Sequence, residues 1–115
     1  MPLPTVAILV VTVLHVGFFF LESILWTSPH VSRLFQITEE EAQATRVLAL
    51  NQGFYNLGAA ALLMWFFATD NTAGVMSVLL FLVGMGLVGA MTANWRIIFL
   101  QSLPALAAFL LLYMN

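Results

Sequence analysis

The sequence predicts an all-α fold, a four-helix transmembrane bundle with a short interfacial helix between helices 1 and 2. Of the 115 residues, 63% are hydrophobic and only 7% are charged, whereas soluble domains carry about 25% charged residues. Three arginines and five acids cannot cover a surface that faces water. The chain also contains apolar runs long enough to cross a bilayer, which takes roughly 20 helical residues. We therefore expect lipid to be the solvent for most of the surface.

Four apolar runs divide the chain, and we expect them to form a single integral-membrane domain covering residues 1–115. The first run is interrupted only by His15 and Glu22, and the second and third carry no charge. The fourth contains Pro104, which removes a backbone hydrogen bond and should kink the helix. The predicted spans are about residues 6–26, 47–68, 72–92 and 96–113, with tight turns at 70–72 and 92–94.

The connection between the first two spans predicts two helix starts. Ser28 followed by Pro29 is typical of an N-cap with proline at the first helical position, which indicates a short helix in the membrane interface. Thr38 followed by three glutamates is a capping-box pattern, so the second long helix is expected to begin near Glu39. We interpret the acidic run as a solvated helix start rather than a calcium site.

The three arginines predict the orientation of the bundle. Arg33 and Arg46 lie in or beside the first connection and Arg96 lies in the third, so all three fall at one end. Cytoplasmic connections are enriched in positive residues, which predicts that both termini lie outside. Membrane lipid is the expected partner, and the lack of a basic surface excludes nucleic acid.

Polar side chains within the spans cost free energy in lipid, so each needs a partner or a function. His15 and Glu22 are seven residues apart and share one face of an ideal helix. With a rise of about 1.5 Å per residue, Glu22 falls level with Gln52 and Gln101, whereas His15 lies deeper, level with other polar groups of the second span. This coincidence predicts a polar pocket open to the cytoplasmic leaflet. Its expected members are His15, Glu22, Asn51, Gln52, Tyr55, Asn56 and Gln101.

Each member of this pocket also has a purely structural interpretation. Glu22 would form an ion pair with Arg46 or Arg96 near the interface. His15 would be a hydrogen-bonded strut between helices. The amides would hold helices together at about 0.6 kcal/mol per contact. The sequence alone leaves both interpretations open.

No metal or cofactor site is expected from the sequence. The chain has no cysteine, which excludes thiolate ligands. A haem or chlorin could use His15, but His30 lies in the interfacial stretch and cannot flank the same macrocycle. The glycine-rich run at residues 84–89 lies inside an apolar span, where helix packing explains it better than phosphate binding. Asp70 and Glu22 belong to opposite membrane faces, so no catalytic carboxylate pair is expected and an enzyme is the less favoured class.

A set of residues in the first half of the chain has a characteristic arrangement, consisting of His15, Glu22, Leu25, Trp26, Thr27, Pro29, Phe35 and the run Asn-Gln-Gly-Phe-Tyr-Asn at 51–56. In these residues the chain resembles a small bacterial integral-membrane family catalogued as domain of unknown function 1304. The resemblance covers essentially the whole chain and is weakest over spans three and four. It implies a four-helix protein of the bacterial inner membrane with a shared pocket at His15, Glu22 and residues 51–56. It implies no activity.

Two classes of function fit these expectations. In the first, a non-enzymatic protein uses the pocket to bind a lipid-like or small amphipathic ligand, or to dock another membrane subunit. In the alternative, a proton-coupled small-molecule exporter acts as a homodimer with Glu22 as the coupling acid. Small multidrug transporters share the length and the acid in the first helix, but this chain has a longer first connection. An intramembrane enzyme with His15 and Glu22 as an acid–base pair is a third and weaker option.

Overall fold

The computed structural model describes residues 1–115, and all of its regular structure is helical. The all-α prediction is therefore confirmed. A π-helical segment, Phe20–Ile24, continues the first helix, and a second one, Ile98–Ser102, precedes the last. The α-helices are α1 (Leu3–Phe19), α2 (Pro29–Leu34), α3 (Glu39–Ala44), α4 (Arg46–Ala68), α5 (Thr72–Thr92) and α6 (Leu103–Tyr113).

Three helical stretches are long and apolar enough to cross a membrane. They are Leu3–Ile24, which joins α1 to its π-helical segment, together with α4 and α5. The fourth apolar stretch, Ile98–Tyr113, is shorter than a typical crossing. It begins later than predicted because Asn94 forms a local turn, in which its side-chain oxygen accepts the backbone N–H of Arg96 at 2.9 Å.

The second π-helical segment explains how the chain accommodates Pro104. Proline has no N–H, and its ring crowds the carbonyl four residues earlier, at Leu100. In the structure the N–H of Leu103 donates to the carbonyl of Ile98, which widens this turn, and Pro104 lies in the first turn of α6. The proline therefore follows a π turn, an irregularity different from the simple kink that the sequence predicts.

The second long helix is interrupted at Thr45, although the sequence predicts continuity from Glu39. The capping box at Thr38 is confirmed, because its hydroxyl accepts the N–H of Glu41 at 3.0 Å and the Glu41 carboxylate accepts the N–H of Thr38 at 3.2 Å. This box starts the short helix α3. The hydroxyl of Thr45 donates to the carbonyl of Glu41 at 2.7 Å. Such side-chain bonds to the backbone bend helices, and α4 begins only at Arg46.

The short helix α2 has defined caps at both ends. The hydroxyl of Ser28 accepts the N–H of Val31 at 3.3 Å, which confirms the predicted N-cap. At the other end Gln36 has φ of 59°, in the left-handed region, and the N–H of Ile37 donates to the carbonyl of Ser32 at 3.0 Å. Together with the bond from the N–H of Gln36 to the carbonyl of Arg33 at 3.1 Å, this bond forms a Schellman motif, in which glycine is the usual left-handed residue.

The chain divides into two compact units, one formed by Met1–Leu14 with Ala59–Asn115 and the other by His15–Gly58. In the first unit, segments of α1, α4, α5 and α6 share one apolar core. Small residues on α6 let the helices approach closely there. The buried members of this core are Ile8, Val11, Ala59, Leu63, Val75, Leu79, Leu82, Ala105 and Ala108.

A close contact in the first unit joins α5 to the second π-helical segment. The hydroxyl of Ser102 donates to the carbonyl of Val83 at 2.9 Å. A Cβ atom added at Gly86 would overlap this hydroxyl and lie 2.9 Å from the backbone nitrogen of Ser102. Gly86 is therefore a packing residue, as the sequence predicts, and Ser102 is its partner. In contrast, a Cβ atom at Gly84 would meet nothing within 4 Å.

Candidate functional site

The second unit contains a cavity of about 530 Å³, largely open to the surface, beside the first turns of α4. This volume is in the range of small-molecule binding sites. Both polar and apolar side chains form its wall, and four of the predicted site residues are among them. The wall consists of Glu22, Trp26, Thr45, Leu48, Ala49, Asn51, Gln52 and Tyr55.

The carboxylate of Glu22 is held by an amide from α4. The side-chain nitrogen of Asn56 donates to Oε1 of Glu22 at 2.5 Å, and Asn56 is buried. This bond orients the carboxylate, and it leaves Oε2 available to a ligand. The structure thus shows Asn56 as a hydrogen-bonding partner of Glu22, and the predicted ion pair with Arg46 stays a prediction. Arg96 belongs to the other unit, so its pairing with Glu22 stays a prediction.

The position of Glu22 depends on the π-helical segment that follows α1. In this segment the N–H of Leu25 donates to the carbonyl of Phe20 at 2.9 Å, one residue further back than in an α-helix. Such single π turns within helices are frequent at functional sites. Because the prediction assumes ideal helical geometry, it expects Glu22 to lie level with Gln52. It therefore misses the contact with Asn56, one turn deeper on α4.

A serine and a glycine bring the π-helical segment against α4. The hydroxyl of Ser23 donates to the carbonyl of Leu50 at 2.8 Å. A Cβ atom at Gly53 would overlap that hydroxyl and lie 2.9 Å from the backbone nitrogen of Ser23. This contact holds Ser23, the residue next to Glu22, directly against α4. Sequence reasoning missed Ser23, although a glycine amid the polar run at 51–56 was a signal of close helix approach.

The indole of Trp26 is fixed at the edge of the cavity by two contacts. Its Nε1 donates to the hydroxyl of Thr45 at 3.0 Å, and its ring lies 4.9 Å from that of Phe35. Thr45 lies at the interruption between α3 and α4 and is itself part of the cavity wall. The interruption therefore helps to position the wall. The sequence indicates Trp26 as one of the residues that carry the family resemblance, but it gives no reason to single out Thr45.

Three predicted site residues do not line this cavity, namely His15, Asn56 and Gln101. Asn56 contributes through its bond to Glu22. His15 is almost fully buried, and its ring packs edge-to-face on Phe18 at 5.0 Å. Gln101 lies in the second π-helical segment, which belongs to the other unit. Their participation in a site therefore stays a prediction. His30 is exposed and its Nδ1 lies 3.2 Å from Nη2 of Arg33. No group of three metal-ligating side chains occurs in the structure.

The fold and the site define an all-helical protein with three helices of membrane-crossing length and a cavity beside a carboxylate–amide pair. Residues 9–113 match the family described as Protein of unknown function (DUF1304), and the chain belongs to that family. It is also similar to the Uncharacterized protein YpaA of Lactococcus lactis subsp. lactis (strain IL1403), with 31% identity over 93 residues, 77% of this chain and 78% of the relative. No solved structure matches the chain. The resemblance expected from the sequence is therefore confirmed.

Proposed function

We propose that this protein crosses the bacterial inner membrane four times. The apolar stretch Ile98–Tyr113 follows α5 after a short turn, and Ala105 and Ala108 on it are fully buried in the core of the first unit. A stretch that is short for the bilayer can still cross by local thinning of the lipid. With four crossings, the three arginines lie in or beside the connections that follow the first and third crossings. The positive-inside rule then predicts that these connections are cytoplasmic and that both termini lie outside.

We further propose that the cavity beside Glu22 binds a single-chain amphipathic molecule. The observation that carries this function is the carboxylate of Glu22, which Asn56 holds at the wall of a cavity of about 530 Å³. An acidic side chain near the end of an apolar helix costs free energy in lipid, and such residues commonly mark functional sites. Amides from Asn51 and Gln52 add hydrogen-bonding groups for a polar headgroup.

The exposed part of the wall suggests how such a ligand would enter. Leu48 is 70% exposed and Tyr55 is 77% exposed, so the cavity opens sideways from α4. In a bilayer these side chains would contact lipid. A single-chain molecule could therefore diffuse in from the leaflet, place its headgroup against Glu22 and leave its alkyl chain among the acyl chains.

Single cysteines in this cysteine-free chain test whether the cavity binds such molecules. Leu48 lines the cavity, whereas its neighbour Val47 is 60% exposed and does not line it. Leu48→Cys and Val47→Cys variants would be placed in phosphatidylcholine nanodiscs and labelled with N-ethylmaleimide. We expect twelve-carbon amphiphiles to slow labelling at position 48 in a saturable way and to leave position 47 unchanged. If every amphiphile slows labelling equally at positions 47 and 48, binding in the cavity is refuted.

The position of an acid at the cavity wall also favours a second candidate, the dimeric proton-coupled exporter with Glu22 as the coupling acid. This candidate requires binding of the transported molecule to release a proton from Glu22. Proteoliposomes with a pH-sensitive dye would detect this release, and Glu22→Gln should abolish both proton release and transport. A ligand that binds without proton release would exclude the exporter and leave the binding function intact.

A further inference from the structure

The charges in the cavity wall discriminate between classes of headgroup. Among the eight wall residues, only the carboxyl of Glu22 and the phenol of Tyr55 can ionise. The wall contains no arginine or histidine. Arg33, the basic residue of α2, lies against His30 instead. A phosphate, sulfate or carboxylate headgroup would therefore find no cation in the wall and would face the carboxylate of Glu22. Like charges in this geometry oppose binding.

The groups around Glu22 suit a positively charged headgroup. Asn56 occupies Oε1, so Oε2 is free to accept a hydrogen bond from an ammonium group or to pair with a quaternary nitrogen. The indole of Trp26 and the phenol of Tyr55 belong to the same wall. Aromatic faces attract cations that lie within about 6 Å of the ring centre. The contacts of Trp26 with Thr45 and Phe35 hold its ring in place before a ligand arrives.

We propose that the ligand of this cavity is an amphiphile with an amine or ammonium headgroup, bound through the carboxylate of Glu22 in a wall that also contains Trp26 and Tyr55. This inference rests on the proposed function, because it names the class of molecule that the same cavity binds. Neutral sugar headgroups can use the amides of Asn51 and Gln52 but gain nothing from the charge of Glu22. Cationic amphiphiles should therefore bind more tightly than neutral ones, and anionic amphiphiles least tightly.

The labelling assay at position 48 ranks these classes with probes of equal chain length. The probes are dodecyltrimethylammonium, dodecyl maltoside and dodecanoate, each corrected for its effect at position 47. We expect dodecyltrimethylammonium to give half-maximal protection at a concentration about tenfold lower than dodecyl maltoside, the ratio typical of one charge-assisted contact. Dodecanoate should give the weakest protection.

Two glutamate variants separate the role of Glu22 from the charge of the whole protein. Glu22→Gln should abolish the preference for the cation, whereas Glu40→Gln makes the same substitution in the exposed first turn of α3 and should preserve it. If Glu22→Gln does not fold, Gln52→Lys provides a second test, because Gln52 is exposed and its replacement adds a positive charge to the wall. This variant should weaken protection by the cation by about tenfold and strengthen protection by dodecanoate.

The outcomes distinguish this inference from the proposed function. Equal protection by the cationic and neutral probes, or stronger protection by dodecanoate, overturns the headgroup assignment while binding in the cavity stands. A cation preference that survives Glu22→Gln, or that Gln52→Lys leaves unchanged, also overturns it. If no probe protects position 48, the proposed function itself fails.

Discussion

Replacing Gly53 with alanine tests the contact that holds the π-helical segment of the first helix against α4. A Cβ atom there would lie 2.9 Å from the backbone nitrogen of Ser23 and 3.0 Å from its Cβ, whereas ordinary contacts are 3.4 Å or longer. The two backbones would therefore have to separate by about 0.5 Å, because a backbone atom cannot rotate away. Gly58, on the same helix, provides the matched control, since a Cβ atom there would meet nothing within 4 Å.

The expected difference in the free energy of unfolding between the two variants follows from two contributions, which apply to Gly53→Ala alone. Overpacking a close contact costs about 1–3 kcal/mol. Loss of the bond from Ser23 to the carbonyl of Leu50 adds about 0.6 kcal/mol, the average for such bonds between membrane helices. Both alanines gain about 0.9 kcal/mol in helix propensity over glycine, which is the whole effect expected for Gly58→Ala. Gly53→Ala should therefore be less stable than Gly58→Ala by about 2.5 kcal/mol, or roughly 60-fold in the folding equilibrium.

Reversible unfolding in mixed micelles, driven by dodecyl sulfate and followed by far-ultraviolet circular dichroism, measures this difference. Adding Ser23→Ala to Gly53→Ala should recover only part of the loss, because the contact with the backbone nitrogen remains. If Gly53→Ala is as stable as Gly58→Ala, the close approach of the two backbones is refuted. Full recovery in the double variant would mean that the hydroxyl alone limits the approach.

Three further predictions concern other parts of the chain. Gly86→Ala should be less stable than Gly84→Ala by about 2 kcal/mol in the same unfolding assay, because only Gly86 faces a neighbouring backbone; equal stabilities would contradict this. Gln36→Gly should raise stability by about 1 kcal/mol, since glycine adopts the φ of 59° at this position without steric cost, and a loss of stability would show that the Gln36 side chain has a role of its own. Thr38→Ala removes the capping box of α3 and should cost about 1 kcal/mol. Hydrogen exchange at the Glu41 amide should then accelerate, whereas unchanged exchange would show that α3 does not depend on this cap.

The features that the sequence predicts correctly are those set by local interactions. Ser28 and Thr38 cap the helices that follow them because a hydroxyl reaches an N–H only a turn away, whatever the rest of the fold does. The turn at 70–72 is equally local, since Asn71 accepts the N–H of Gly74 at 2.8 Å and caps α5. Long apolar runs likewise predict long helices without knowledge of their neighbours.

The features that the sequence does not predict depend on contacts between distant residues. The interruption at Thr45 accompanies a hydrogen bond from Trp26, nineteen positions earlier. The π turn at Phe20–Ile24 accompanies the bond from Ser23 to Leu50. Because helical periodicity assumes regular geometry, these irregularities shift the expected heights of side chains by about one turn. The expected heights therefore predict the part of α4 that lies near Glu22, but they do not predict Asn56 as the partner of the carboxylate.

The same arrangement of serine and glycine occurs once in each unit, and it constrains how such chains can diverge. In both cases a hydroxyl donates to the carbonyl three residues before a glycine, with Ser23 facing Gly53 and Ser102 facing Gly86. A Cβ atom at either glycine would meet the backbone nitrogen as well as the hydroxyl of the serine opposite, so a change of the serine side chain relieves only part of the collision. Among related chains, glycine should therefore persist at positions 53 and 86 even where the residues at 23 and 102 vary.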